Sequence, residues 1–109
     1  MRVLKFLVDD KTIRPDPACD FSGLFPGKED QVRAEFTFSP DWKNRVKVAA
    51  FWSILDKEYE PQVVNDDGSC QIPIEALRKV AFKVQVLGKY RGIKTETNCL
   101  TVYQSGGKQ

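Results

Sequence analysis

The chain has 109 residues, 41% hydrophobic and 29% charged, and a formal net charge of +2 from 17 basic and 15 acidic residues. That length implies a single core, the composition excludes disorder, and the near-neutral balance excludes nucleic acid or an anionic membrane as the default partner. Three cysteines without a CxxC pair, and no histidine, argue for reduced thiols and against both a disulfide framework and a zinc centre.

The opening stretch Met1–Leu7 is interrupted by Arg2 and Lys5 and does not read as a signal peptide, so the expectation is a protein kept in the cytosol unless it leaves within a larger particle. Leu4, Phe6 and Val8 alternate with Val3, Lys5, Leu7 and Asp9, the pattern of a half-buried strand. Asp9-Asp10-Lys11 turns into a second arm around Thr12-Ile13. Residues 14–30 hold Pro15, Pro17, Gly23, Pro26 and Gly27, which predicts a long surface connection pinned by Cys19, Phe21, Leu24 and Phe25. Gln31–Phe38 is a second strand, with Val32, Ala34, Phe36 and Phe38 inward. Trp42 falls at the corner after it, covering one end of the domain or partly exposed.

Val46–Leu55 is apolar on both faces towards its end, which predicts a central strand covered on both sides, with Trp52 in the core. Lys57–Val64 reads as an edge excursion interrupted by Pro61, since proline cannot donate to a ladder. Asn65-Asp66-Asp67-Gly68 is the strongest turn signal and predicts a tight hairpin. Pro73 introduces one short helical turn near residues 74–78. Val80–Leu87 follows as a strand with Val80, Phe82, Val84 and Val86 inward, then a hairpin loop over Gly88–Gly92 and a last strand over Asn98–Tyr103. The sum predicts an all-β fold, an immunoglobulin-like antiparallel β-sandwich over residues 1–103, with a flexible tail at 104–109.

No catalytic constellation emerges, and the expectation is a protein without enzymatic activity, metal or cofactor. Without histidine, Cys70 or Cys99 has no ordinary base to activate it, and each sits where a small buried residue fits. Asp9-Asp10 and Asp66-Asp67 lack the spacing of a calcium loop and lie where turns are wanted. Lys79, Lys83, Lys89, Arg91 and Lys94 surround Tyr90, a grouping able to grip phosphates and stack on a base. Lysines that guard strand faces against unwanted pairing explain the same residues better, so nucleic acid is not the expected ligand. The residues singled out for an interaction surface are Trp42, Lys57, Tyr59, Lys89, Tyr90 and Arg91.

The runs Phe36-Thr37-Phe38-Ser39, Asp41-Trp42, Val46–Phe51, Cys70–Leu77, Phe82–Gly88 and Thr95–Val102 resemble a family of small β domains found in tail and baseplate proteins of phages and prophages of Gram-positive bacteria, often at their N-termini. The resemblance covers about residues 1–103 and rests on structural motifs, with no catalytic residues to carry over. It implies a virion structural protein, assembled in the host cytoplasm. Such a protein docks to a tail or baseplate through protein–protein contacts with other phage structural proteins or further copies of itself, and makes no membrane contact. With only a short tail after Tyr103, the expectation is a small free-standing component without a fibre or receptor-binding region. The alternative expectation is a phage-encoded inhibitor that binds a host defence protein such as a nucleic-acid-guided nuclease.

Overall fold

The computed structural model describes residues 2–27 and 32–104. Nine strands follow one another: β1 (Arg2–Asp9), β2 (Thr12–Pro15), β3 (Val32–Phe38), β4 (Val46–Ser53), β5 (Gln62–Val63), β6 (Ser69–Gln71), β7 (Ala81–Tyr90), β8 (Ile93–Glu96) and β9 (Leu100–Tyr103). A 3-10 turn at Pro40–Trp42 and one helical turn, α1 (Ile74–Leu77), interrupt them. The first sheet has the order β2-β1-β3-β6; the second has β5-β4-β7-β8, with β9 also paired to β7.

Alternation determines what each sheet buries. Leu4, Phe6 and Val8 of β1 and Val32, Ala34 and Phe36 of β3 meet Ala49 and Phe51 of β4 and Phe82, Val84 and Val86 of β7 in one core. Phe6 stacks on Phe36 with ring centroids 5.4 Å apart. The antiparallel pairs β3–β6 and β4–β7, with chain crossings between sheets after β3, β5 and β6, give the immunoglobulin-like sandwich that the periodicity predicts. One pairing departs from the antiparallel expectation: β1 runs parallel to β3, Leu4 beside Ala34 and Phe6 beside Phe36. The β1–β2 hairpin carries the chain back beside the start of β1, and a long connection returns it in the same direction, as parallel neighbours require. Arg2 ties that connection down by donating to the carbonyls of Asp20 and Ser22 at 2.9 and 2.6 Å.

Several local expectations are corrected. Val80 points outward at 61% exposure, because β7 begins one residue later. Gly88, Lys89 and Tyr90 belong to β7 and not to a loop. The hairpin is the two-residue turn Arg91-Gly92, with φ of 50° and 81°, the left-handed geometry that matches the twist of paired strands. Asn65–Gly68 is a tight turn, with the Gly68 amide donating to the Asn65 carbonyl at 2.9 Å, yet the strands it joins lie in different sheets. In that turn the Ser69 hydroxyl, then its amide, donates to the Asp67 carboxylate and holds its pKa below the ordinary 3.8. Gln104, assigned to the flexible tail, is buried, and its Nε2 donates to the carbonyls of Leu77 and Lys79 at 2.8 Å each. It thereby satisfies acceptors that the end of α1 leaves open. The rest of the expected tail, residues 105–109, lies outside the described residues, as do Met1, residues 28–30 of the predicted connection and Gln31 of the second predicted strand.

Trp42 is fully buried, the covering alternative of the two expected for it, while Trp52, expected in the core, is only partly buried. The Trp42 indole Nε1 donates to the Asp10 carbonyl at 2.7 Å, and its ring lies 5.5 Å from that of Phe38. Gly88 faces it so closely that an added Cβ would lie 2.5 Å from ring atom Cζ3. Gly88→Ala is therefore expected to cost about 2–3 kcal/mol through overpacking. Gly92→Ala, with positive φ but nothing within 4 Å, is expected to cost only about 1–2 kcal/mol of backbone strain. Urea denaturation of the two variants checks the order.

Candidate interaction surface

The face of the second sheet turned away from the core carries the candidate site. Ala49 and Phe51 of β4 point into the core, so by alternation Val46, Val48, Ala50 and Trp52 point out. Strand register then aligns residues from distant parts of the chain. Val63 of β5 pairs with Val48, and Val48 with Leu87 of β7, which places three apolar side chains in one row across the sheet. Val46 pairs with Lys89, and Lys89 with Lys94, in the row towards the Arg91-Gly92 turn. At the opposite end Trp52 sits between Lys83 and Glu58.

The result is an open groove of about 700 Å³. Its floor is Val46, Val48, Ala50, Leu87 and Pro61, and its rim carries Lys89, Arg91, Lys94 and Glu58. Val46 and Val63 are 66% and 70% exposed, so the expectation that β4 is covered on both sides holds only in part: on its outer face Ala50 is buried and Trp52 half-buried, beside the returning segment at Glu58, while the end at Val46 is open. Among the described residues the ion pairs are Arg33–Asp67, Lys83–Asp56 and Lys94–Glu96. Lys89, Arg91 and Glu58 belong to none of them, so the groove rim carries two cations outside any ion pair near one end and a carboxylate outside any ion pair near the other.

The six residues singled out from the sequence separate in space. Lys89 and Arg91 meet at the groove rim. Tyr90 lies on the opposite face of β7, with the Arg91 guanidinium 5.3 Å from its ring centroid. Lys57 and Tyr59 line a second cavity, with Ile54, Leu55, Arg78 and Val80, beyond the end of β4. Trp42 contributes no surface at all, because a ring that bonds Asp10 and packs on Gly88 has to lie inside. Val48, Leu87, Val63 and Glu58 escaped sequence reasoning; the available signal was the apolar character of both faces of β4.

The cysteines differ in environment. Cys70 is buried, and burial pushes its thiol from the ordinary 9.0 up to about 12. Cys99 is exposed, against the expectation of a buried strand position, because β9 starts at Leu100. Among the described residues no group of three or more histidine, cysteine, aspartate or glutamate side chains is placed to hold a metal ion, and no helix is long and apolar enough to cross a membrane. Neither a scan against protein-family models nor a search of curated proteins finds a match to this chain.

Two outcomes are expected. A maleimide at pH 8 labels Cys99 rapidly in the folded protein and leaves Cys70 unlabelled until denaturant is added, as mass spectrometry of peptides will show. The raised Cys70 pKa means that the unfolded chain loses this proton first. The associated stability is intact below pH 9.0 and is lost as pH rises towards about 12. The second outcome concerns the tryptophans. Trp52 Nε1 is buried without an acceptor among the described residues, so Trp52→Phe is expected to stay within about 1 kcal/mol of the parent. Trp42→Phe removes a satisfied hydrogen bond and core volume, at about 2 kcal/mol or more. Thermal melts of the two variants compare them directly.

Proposed function

We propose that this chain is a non-enzymatic structural protein of a phage or prophage tail or baseplate, and that it docks through the outer face of the β5-β4-β7-β8 sheet. The observation that carries the docking half is the register-aligned row Val63–Val48–Leu87 with Val46 beside it, a contiguous apolar strip on the outer face with Lys89, Arg91, Lys94 and Glu58 at its rim. Single exposed apolar residues are ordinary on soluble proteins; a contiguous apolar patch rimmed by charge marks a contact surface. The tail and baseplate half draws on the resemblance carried by the Phe36–Ser39, Val46–Phe51, Cys70–Leu77 and Phe82–Gly88 runs. A protected, protonated Cys70 is in keeping with a thiol kept for packing.

The test is mass spectrometry of purified virions from a host carrying the gene, with the parent protein and Val48→Asp compared. The parent is expected in mature particles. Val48→Asp changes an outward side chain and should fold normally. Its incorporation should nonetheless fall about tenfold or more, because a carboxylate replaces an apolar anchor at the centre of the docking face. Absence of the parent from particles, or its recovery bound to a host defence protein instead, overturns this reading.

A further inference from the structure

The groove has a polarity along β4 that states what fits it. Its two charged ends lie about 20 Å apart, taking the strand rise over the residues from Val46 to Trp52. Lys89 and Arg91 stand near the first end and Glu58 near the second, none of them in an ion pair among the described residues, and the apolar row of Val63, Val48 and Leu87 lies between them. Lys83 at the second end is already neutralised by Asp56, so it adds no net charge there. A surface that is apolar in the middle and opposite in sign at its ends is complementary to itself when turned end for end.

From this charge pattern we infer that the occupant of the groove is a second copy of this chain, in a two-fold dimer built by packing the outer faces of two such sheets. The inference rests on the docking reading above and names the partner. In an isologous contact the same patch serves both copies, so every favourable pair is made twice. The two-fold axis lies in the plane between the sheets, about 10 Å apart at this kind of contact, and crosses the strands between Val48 and Ala50. That operation sets strands of the two copies antiparallel. It brings Lys89 and Arg91 of each copy over the end of the other that carries Glu58. The alternative axis, parallel to the strands, superposes Lys89, Arg91 and Lys94 on their own copies, and like-charge repulsion excludes it. Burial of Val46, Val48, Val63 and Leu87 from both copies supplies the attraction; the charged ends select the orientation.

Charge reversal tests this. The parent at low salt is expected to sediment as a dimer at micromolar concentration, and to weaken as salt screens the ends. Glu58→Lys alone, and Lys89→Glu with Arg91→Glu, should each weaken the dimer at least about tenfold, since each change strikes two symmetric pairs. The variant carrying all three changes exchanges the two ends and should regain the parent's dimerisation. Circular dichroism and thermal melts confirm that each variant is folded, since these side chains all stand at the groove rim. A parent that remains monomeric at low salt and high concentration overturns the inference, as does a dimer that none of the charge reversals weakens or that the triple variant fails to restore. Incorporation into virions by a monomeric parent, still blocked by Val48→Asp, would overturn self-pairing while leaving the docking reading in place. A charge-dependent dimer absent from virions would do the reverse.

Discussion

The contact between Trp42 and Gly88 holds the sandwich at the width the rest of the core needs. The indole enters from the connection between β3 and β4, which links the two sheets, and its N–H is fixed to the Asp10 carbonyl at the β1–β2 turn. Its ring then lies against the backbone of β7 at the one position where no side chain intervenes. Arg45 stacks its guanidinium 5.3 Å from the same ring and donates to the Asp41 carbonyl. One side chain thus joins the turn of the first sheet, the crossover and the central strand of the second. Aromatic burial of this extent, with its single polar atom satisfied, is worth more than any surface ion pair the protein makes.

With that end closed, the long β7 strand organises the second sheet. Over Phe82–Lys89 it pairs with the whole of β4 on one side, and it pairs with both β9 and β8 on the other. Between those two edge strands, Thr97 is buried, with its hydroxyl accepting from the Val86 amide at 3.0 Å and donating to the Asn98 carbonyl at 2.8 Å. Asn98 in turn accepts from the Ile13 amide at 2.8 Å and so links the gap to the first sheet. The outer face of β4 and β7 acquires its apolar row because the inner face is already complete: Phe51, Phe82, Val84 and Val86 fill the interior, and the alternate positions need only tolerate solvent or a partner.

Periodicity in the sequence is enough to find the strands that alternate cleanly. β1, β3 and most of β7 follow from it, and α1 follows from Pro73 ahead of an apolar turn. Failures arise where one residue serves two demands. Gly88 reads as a loop residue because glycine usually breaks strands, whereas here its missing side chain makes room for Trp42. β8, Ile93–Glu96, has three polar residues out of four and no apolar face to announce it. The parallel pairing of β1 and β3 is a matter of chain path, which no local pattern records. The candidate surface was half visible: Lys89 and Arg91 stood out as charges, but Val63, Val48 and Leu87 come from three separated segments and form a row only through strand register. Lys57 and Tyr59 stood out for similar reasons and turn out to border a different cavity.

The division of strands between the sheets bears on how the chain is made. Every strand of the first sheet has left the ribosome by Gln71, whereas the second waits for β7, β8 and β9, up to Tyr103. During vectorial synthesis the first layer is complete when only β4 and β5 of its cover have emerged, so Leu4, Phe6, Val8 and Phe36 are not enclosed until β7 follows. A nascent apolar layer of that kind is prone to aggregate, and its lifetime is set by translation speed between Gln71 and Tyr103.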